Sequence, residues 1–142
     1  MQVSQSMQKA TNKVVDIHPE VTQEPWEIEW DRCKPYIAKS IKYQDSYTID
    51  DVEDKIRHGI FHLWPGKKSA LVTEIIPFPQ MLSMNILVFA GNFKEFEEMF
   101  KHIETYAKKA GIKRLYGGGR KGWLKKISHL GFKSEHLISK EL

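Results

Sequence analysis

Apolar residues recur along this chain with two periods, and the alternation between them lays out its elements. Trp26, Trp30, Cys33, Ile37 and Ile41 fall four, three, four and four residues apart, the spacing of one helix face. Pro35 lies within that stretch and predicts a kink or two short helices meeting near Lys34, because proline removes one helical hydrogen bond and crowds the preceding turn. Thr48-Ile-Asp-Asp51 reads as a capping box opening a second helix with Val52 and Ile56 inward, closed by Gly59. The period then shortens. Ile60 to Trp64 and Ser69 to Ile76 are β-rich runs joined by Pro65-Gly66-Lys67-Lys68, which predicts an antiparallel hairpin. Pro77-Phe78-Pro79-Gln80 is expected to break the sheet before a third strand, Met81 to Ala90.

After Gly91, Asn92 is placed to cap a long helix with Glu95 completing the box. Phe93, Phe96, Met99, Phe100, Ile103, Ala107 and Ala110 form its apolar stripe, and Lys94, Glu97, Glu98, Lys101, Lys108 and Lys109 its wet face. Gly111 stops it, Ile112 to Tyr116 makes a fourth strand, and Gly117-Gly118-Gly119 turns into a short basic helix, Arg120 to Leu130, with Trp123, Leu124, Ile127 and Leu130 inward. Lys133 to Leu142 reads as a closing strand. A strand, a helix and a strand in immediate succession predict a right-handed crossover between parallel neighbours. The fold class is therefore α/β in the α+β sense: a mixed, mainly antiparallel sheet with a central parallel β-α-β pair and helices on both faces. Residues 1–25 are polar and read as a tail, and residues 26–142 as a single domain.

Composition narrows the functional classes. With one cysteine, Cys33, an internal disulfide framework and a cysteine-based zinc site are excluded, and His58, His62 and His102 lack metal-ligand spacing, so no metal is expected. No run approaches the ~20 apolar residues of a membrane span, which leads us to expect a cytoplasmic protein. Charge is unevenly spread: residues 1–100 carry 11 Lys and Arg against 15 Asp and Glu, and residues 101–142 carry 11 against 3. The basic third suits an anionic partner, whether a phosphate-bearing cofactor, nucleic acid or the acidic face of another subunit, and equally suits a solvated lysine-rich surface.

The order helix, helix, strand, strand, strand, helix, strand, helix, strand resembles the GNAT (GCN5-related N-acetyltransferase) fold from about Trp26 to Leu142. Gly119-Arg120-Lys121-Gly122-Trp123, followed by Leu130-Gly131-Phe132, is similar to the ending of many GNAT proteins. More narrowly, Leu63-Trp64-Pro65-Gly66, Ala70 to Ile76 and the Gly-Arg-Lys-Gly-Trp segment resemble small GNAT-like proteins of tailed phages, some related to internal virion proteins. The resemblance implies acetyl-CoA as cofactor and a strand-to-helix loop of the form Arg/Gln-x-x-Gly-x-Gly/Ala, whose amides meet the diphosphate at a helix N-terminus. Here that loop is Phe89-Ala90-Gly91-Asn92-Phe93, with one glycine and no Arg or Gln at its head, and the cofactor is expected against Val88, Phe89, Ala90, Gly91 and Asn92. Gly118, Gly119, Arg120 and Lys121 offer a second place for a phosphate, or a plain flexible turn. For proton handling the resemblance points to Glu74 as base and to Tyr116 or Tyr106 as acid; Glu74 is equally readable as the outward residue of an alternating strand.

Two functional classes follow. One is a catalytically degenerate GNAT-fold protein acting through contacts with other protein subunits, as a homo-oligomer or as a phage virion or assembly component, in the host cytoplasm or the virion. The other is an acyl-CoA-dependent N-acyltransferase with an amine acceptor. Nucleic-acid binding through Lys113, Arg114, Arg120, Lys121, Lys125 and Lys126 ranks below both.

Overall fold

The computed structural model describes residues 24–118 and 122–142. The N-terminal tail, other than its last two residues, and Gly119, Arg120 and Lys121, where the expected glycine turn meets the expected helix, lie outside them. Helices α1 (Pro25–Ile41) and α2 (Ile49–Arg57) lead into strands β1 (Phe61–Pro65), β2 (Ser69–Phe78) and β3 (Met81–Gly91). Helix α3 (Lys94–Lys109), strand β4 (Ile112–Gly117), helix α4 (Trp123–Ile127) and a 3-10 turn (Ser128–Leu130) complete the described elements. The sheet order is β1-β2-β3-β4, antiparallel in its first two pairings and parallel between β3 and β4, so the crossover through α3 stands where the sequence places it. No described helix is long and apolar enough to cross a membrane.

Each face of the sheet carries its own core. On one, Trp30, Cys33 and Ile37 of α1 and Val52 of α2 pack on Phe61, Ala70 and Val72. On the other, Phe96, Phe100 and Ile103 of α3 cover Leu71, Met84 and Ile86, with Trp123 and Ile127 against the same cluster. Strand alternation explains the division, since neighbouring β2 residues point to opposite faces. A polar post joins the first core to its rim. The Trp30 indole N–H donates to Glu53 Oε1 at 2.6 Å, and Lys34 Nζ and Arg57 Nη2 reach the same carboxylate at 3.2 Å. Together they hold the Glu53 carboxyl below its ordinary range, the indole bond first among the causes.

Several local expectations are corrected. Pro35 neither breaks nor divides α1, which is one uninterrupted helix. Pro35 is exposed, and a helical bond lost on the wet side costs less than one lost in the core. Pro77 does not end β2 either. Strand β1 covers β2 only as far as Glu74, so Pro77 sits where one side of β2 has no strand neighbour and a missing N–H breaks no ladder; on its other side it pairs with Leu82. Leu124 is exposed rather than inward. Lys133 to Leu142 forms no strand, since a strand exists only through pairing and this segment pairs with none of the described ones. Thr48 and Asp51 do form the reciprocal cap, whereas Glu95 does not close a box on Asn92.

Candidate cofactor and catalytic site

Strands β3 and β4 run together from Leu82 and Ile112 to Ile86 and Gly117, and there they part. Strand β3 continues to Gly91 paired only with β2, after a bulge in which Leu87 is the extra residue between Ile86 and Val88. The parting opens a wedge at the carboxyl end of the parallel pair, the place where an open α/β sheet offers a binding crevice. Its helix side is full of rings: Phe89 lies 5.1 Å from Phe96 and 5.9 Å from Trp123, and Phe93 stacks on Phe96 at 5.6 Å. Val88 and Ala90 point to the opposite face and belong to the α1 core. The side chains of Val88, Phe89 and Ala90, three of the residues expected at a cofactor, are thus engaged in packing.

The α3 N-terminus is the natural seat for a phosphate, provided that its N–H groups are available. Here the Lys94 amide donates to Asn92 Oδ1 at 2.9 Å, the Glu95 amide to the Asn92 carbonyl at 3.0 Å and the Phe96 amide to the Phe93 carbonyl at 2.9 Å. The Asn92 amide itself donates to the Lys68 carbonyl at 3.0 Å. The Glu95 carboxylate turns away from the helix and accepts from the Lys68 amide, at 3.1 Å to each oxygen, and from the Ser69 hydroxyl. These bonds, Ser69 first, hold Glu95 below the ordinary carboxylate range and so keep it charged. Gly91 is needed for packing: with φ at +108°, a Cβ there would stand 2.3 Å from the Lys68 carbonyl oxygen and 2.6 Å from Ser69 Cα. The glycine that resembles a phosphate-loop residue admits the start of β2. At this end of α3 the first amides are bonded within the protein, and the Glu95 carboxylate is held charged by the neighbouring hairpin.

The two residues expected to handle protons are brought into one row. Glu74 of β2 pairs with Asn85 of β3, and Asn85 with Tyr116 of β4, so all three side chains leave the same face on the rung just before the wedge. Asn85 Nδ2 donates to Glu74 Oε1 at 3.2 Å, and Arg114 Nη1 to the Tyr116 hydroxyl at 3.2 Å. Two interstrand steps put the Glu74 and Tyr116 backbones about 10 Å apart, with Asn85 between them. Tyr106 is on the other face, edge-on to Trp64 at 5.7 Å, and the sheet separates it from Glu74. Asn85 escaped the sequence reading; the available signal was an amide in the middle of an apolar strand. Gly118 is exposed, and Gly119, Arg120 and Lys121 lie outside the described residues.

No family model and no curated protein matches this sequence. Solved structures do match in shape. A probable acetyltransferase superposes with a TM-score of 0.61 at 10% identity, covering 81% of this chain and 91% of its own. A transcriptional regulator from Bacillus halodurans C-125 gives 0.60 at 14%, with 84% and 95% covered. A ribosomal-protein-alanine N-acetyltransferase from Brucella melitensis biovar Abortus 2308 gives 0.56 at 8%, with 81% and 91% covered. The fold is that of the GNAT acetyltransferases; at such identities the likeness speaks for the fold alone.

Proposed function

We propose that this chain is a GNAT-fold protein that has given up acyl-CoA and acts by protein–protein contact. One observation carries the reading: the amides of Asn92, Lys94, Glu95 and Phe96 are spent inside the protein, and the same first turn carries the charged Glu95 carboxylate, fastened to the Lys68–Ser69 hairpin. A diphosphate seated there would have to displace these bonds and face a fixed negative charge, both of which oppose anion binding. The likeness of Leu63-Trp64-Pro65-Gly66 and its neighbours to small tailed-phage proteins supports placing the contact role in a virion or its assembly. The test is isothermal titration of the full chain with acetyl-CoA and with CoA at low salt. We expect no heat up to millimolar cofactor. Micromolar binding would overturn the reading, and Asn92→Gly with Glu95→Gln, which removes the side-chain acceptor of the Lys94 amide and the carboxylate charge, would then leave affinity unchanged instead of creating it.

A second reading, an acyl-CoA-dependent N-acyltransferase, is favoured by the single row of Glu74, Asn85 and Tyr116 at the mouth of the wedge. It predicts amine acetylation that Glu74→Gln abolishes. Nucleic-acid binding rests on exposed Lys113, Arg114, Lys125 and Lys126, and predicts affinity that falls steeply with added salt.

A further inference from the structure

Beyond Glu74, the sheet face that carries the α1 core changes character. That core takes in Ala70, Val72, Leu87, Val88 and Ala90. Alternation puts Ile76 and Phe78 of β2, Ser83 and Asn85 of β3, and Arg114 and Tyr116 of β4 on the same face nearer the β2–β3 turn, and none of them belongs to the core. Phe78 pairs with Met81 and Tyr116 with Asn85, yet their rings meet at 6.3 Å with 66° between planes, so Phe78 leans across the intervening Ser83. The two rings make an angled bracket, Phe78 exposed and Tyr116 half-buried. Beneath it the Ser83 hydroxyl is fully buried without a hydrogen-bond partner among the described residues, a cost that a further partner would offset.

The charge around the bracket is largely of one sign. Residues 75–93 hold no charged side chain, and residues 105–134 hold nine Lys and Arg against no Asp or Glu. Lys108 and Lys109 at the end of α3, and Lys113 and Arg114 at the start of β4, are exposed at the end of the sheet where β2 turns into β3. The Arg114 guanidinium lies 5.9 Å from the Tyr116 ring centroid and donates to the Tyr116 hydroxyl, so a cation stands at the rim. Glu74 opposes it from two strands away, with its Oε1 accepting from Asn85, and Glu135 contributes least to holding Arg114 above its ordinary value, which the Tyr116 hydroxyl does first.

We propose that this face binds single-stranded nucleic acid, an unpaired base stacking on Phe78 against Tyr116 while phosphates meet Arg114, Lys113, Lys108 and Lys109. Exposed rings beside cations are what such a strand requires, because every base has a flat face to stack and every linkage a charge to neutralise. A duplex hides the faces of its bases and offers the bracket only phosphate charge. Once Phe78 opens to admit a base, the Ser83 hydroxyl and the Asn85 amide come within reach of its edge, which supplies the partner that Ser83 lacks. The inference rests on the nucleic-acid reading above, gives it a site, and stands whether or not the chain binds acyl-CoA.

The test is fluorescence anisotropy of the full chain with labelled oligothymidylate and oligouridylate of about twelve residues. An abasic strand of the same length, a duplex and poly-glutamate serve as comparisons. We expect both oligonucleotides to bind at low salt, with affinity falling steeply as salt rises. Phe78→Ala should weaken binding about tenfold through the lost stack, and Arg114→Gln should lower the slope of log affinity on log salt by about 0.7. The abasic strand should bind the parent about as weakly as the intact strand binds Phe78→Ala. Circular dichroism should show that variant to be folded, since Phe78 is exposed and outside both cores. No binding at low salt overturns the inference together with the reading it rests on. Binding that Phe78→Ala leaves unchanged overturns the site and keeps the reading. A duplex or poly-glutamate bound as tightly as the single strand also overturns the site, because the face would then answer to charge alone.

Discussion

Replacing Gly91 by alanine separates the two jobs that a glycine in this loop can have. If it were there to let a phosphate approach, Gly91→Ala would cost ligand affinity and little stability. The structure assigns the opposite. A Cβ at Gly91 meets the Lys68 carbonyl oxygen at 2.3 Å, Ser69 Cα at 2.6 Å and Ser69 Cβ at 2.9 Å, two of the three being backbone atoms that cannot rotate away. The left-handed backbone adds about 1–2 kcal/mol for any residue with a Cβ. Relieving the contact needs a backbone shift, costing about 1–3 kcal/mol as overpacking, and it strains the bond from the Asn92 amide to the Lys68 carbonyl, worth about 1 kcal/mol. The total is about 3–6 kcal/mol, a large part of the roughly 5–15 kcal/mol that a domain has. Gly111→Ala is the control, for its φ is +78° and a Cβ there meets nothing within 4 Å, so it bears the backbone strain alone. Urea unfolding followed by tryptophan fluorescence measures both. If Gly91→Ala is no more destabilising than Gly111→Ala, within about 0.5 kcal/mol, the packing role of this glycine is wrong and the phosphate-loop reading returns.

Three further outcomes follow from the cores. Glu53→Ala leaves the buried Trp30 indole N–H without its acceptor and should cost about 1–3 kcal/mol at pH 7. Because the folded carboxyl titrates below its unfolded value, that difference is present above about pH 4.5 and should shrink as acid protonates Glu53, which urea unfolding from pH 7 to pH 3 will show. Ser83 is fully buried with a hydroxyl that has no hydrogen-bond partner among the described residues, so Ser83→Ala should raise the unfolding free energy by up to about 1 kcal/mol; a loss of stability would reveal a bond to that oxygen. Burial pushes the His62 imidazole down to about 4, so the folded state resists a proton that the unfolded chain accepts from about pH 6.5 downward. Stability should therefore fall between those values by about 1–2 kcal/mol, discounted for the ring's partial exposure, and His62→Gln should flatten that part of the profile.

Elements whose signal is local were legible in the residues. The α3 stripe from Phe93 to Ala107, the Thr48 box and the Pro65-Gly66 turn each state their structure within a few positions and stand in the fold, whereas Ala110, counted in the stripe, is exposed past the helix end. The prolines misled because their cost depends on what surrounds them. Pro35 is harmless on a wet helix face and Pro77 beyond the end of β1, and neither environment is written nearby in the chain. The closing strand failed for a related reason: its pattern specifies an extended segment but not the edge that would accept it.

Glu95 shows the same limit at the site. Its place after Asn92 satisfies the pattern of a capping box, yet the carboxylate is drawn to Lys68 and Ser69, a turn 26 or 27 residues upstream that only the sheet brings near. That one redirection links fold to function. The carboxylate ties the hairpin to the start of α3, Gly91 lets the two backbones close on each other, and Asn92 caps the helix with its own oxygen. Restoring a phosphate seat would require freeing the very groups that fasten this corner. Stability and cofactor binding are therefore in competition at the same few residues, and Asn92→Gly with Glu95→Gln should lower the unfolding midpoint whether or not it gains affinity for a diphosphate. A double variant as stable as the parent would break that link, because it would mean that the groups at the helix end are idle rather than spent.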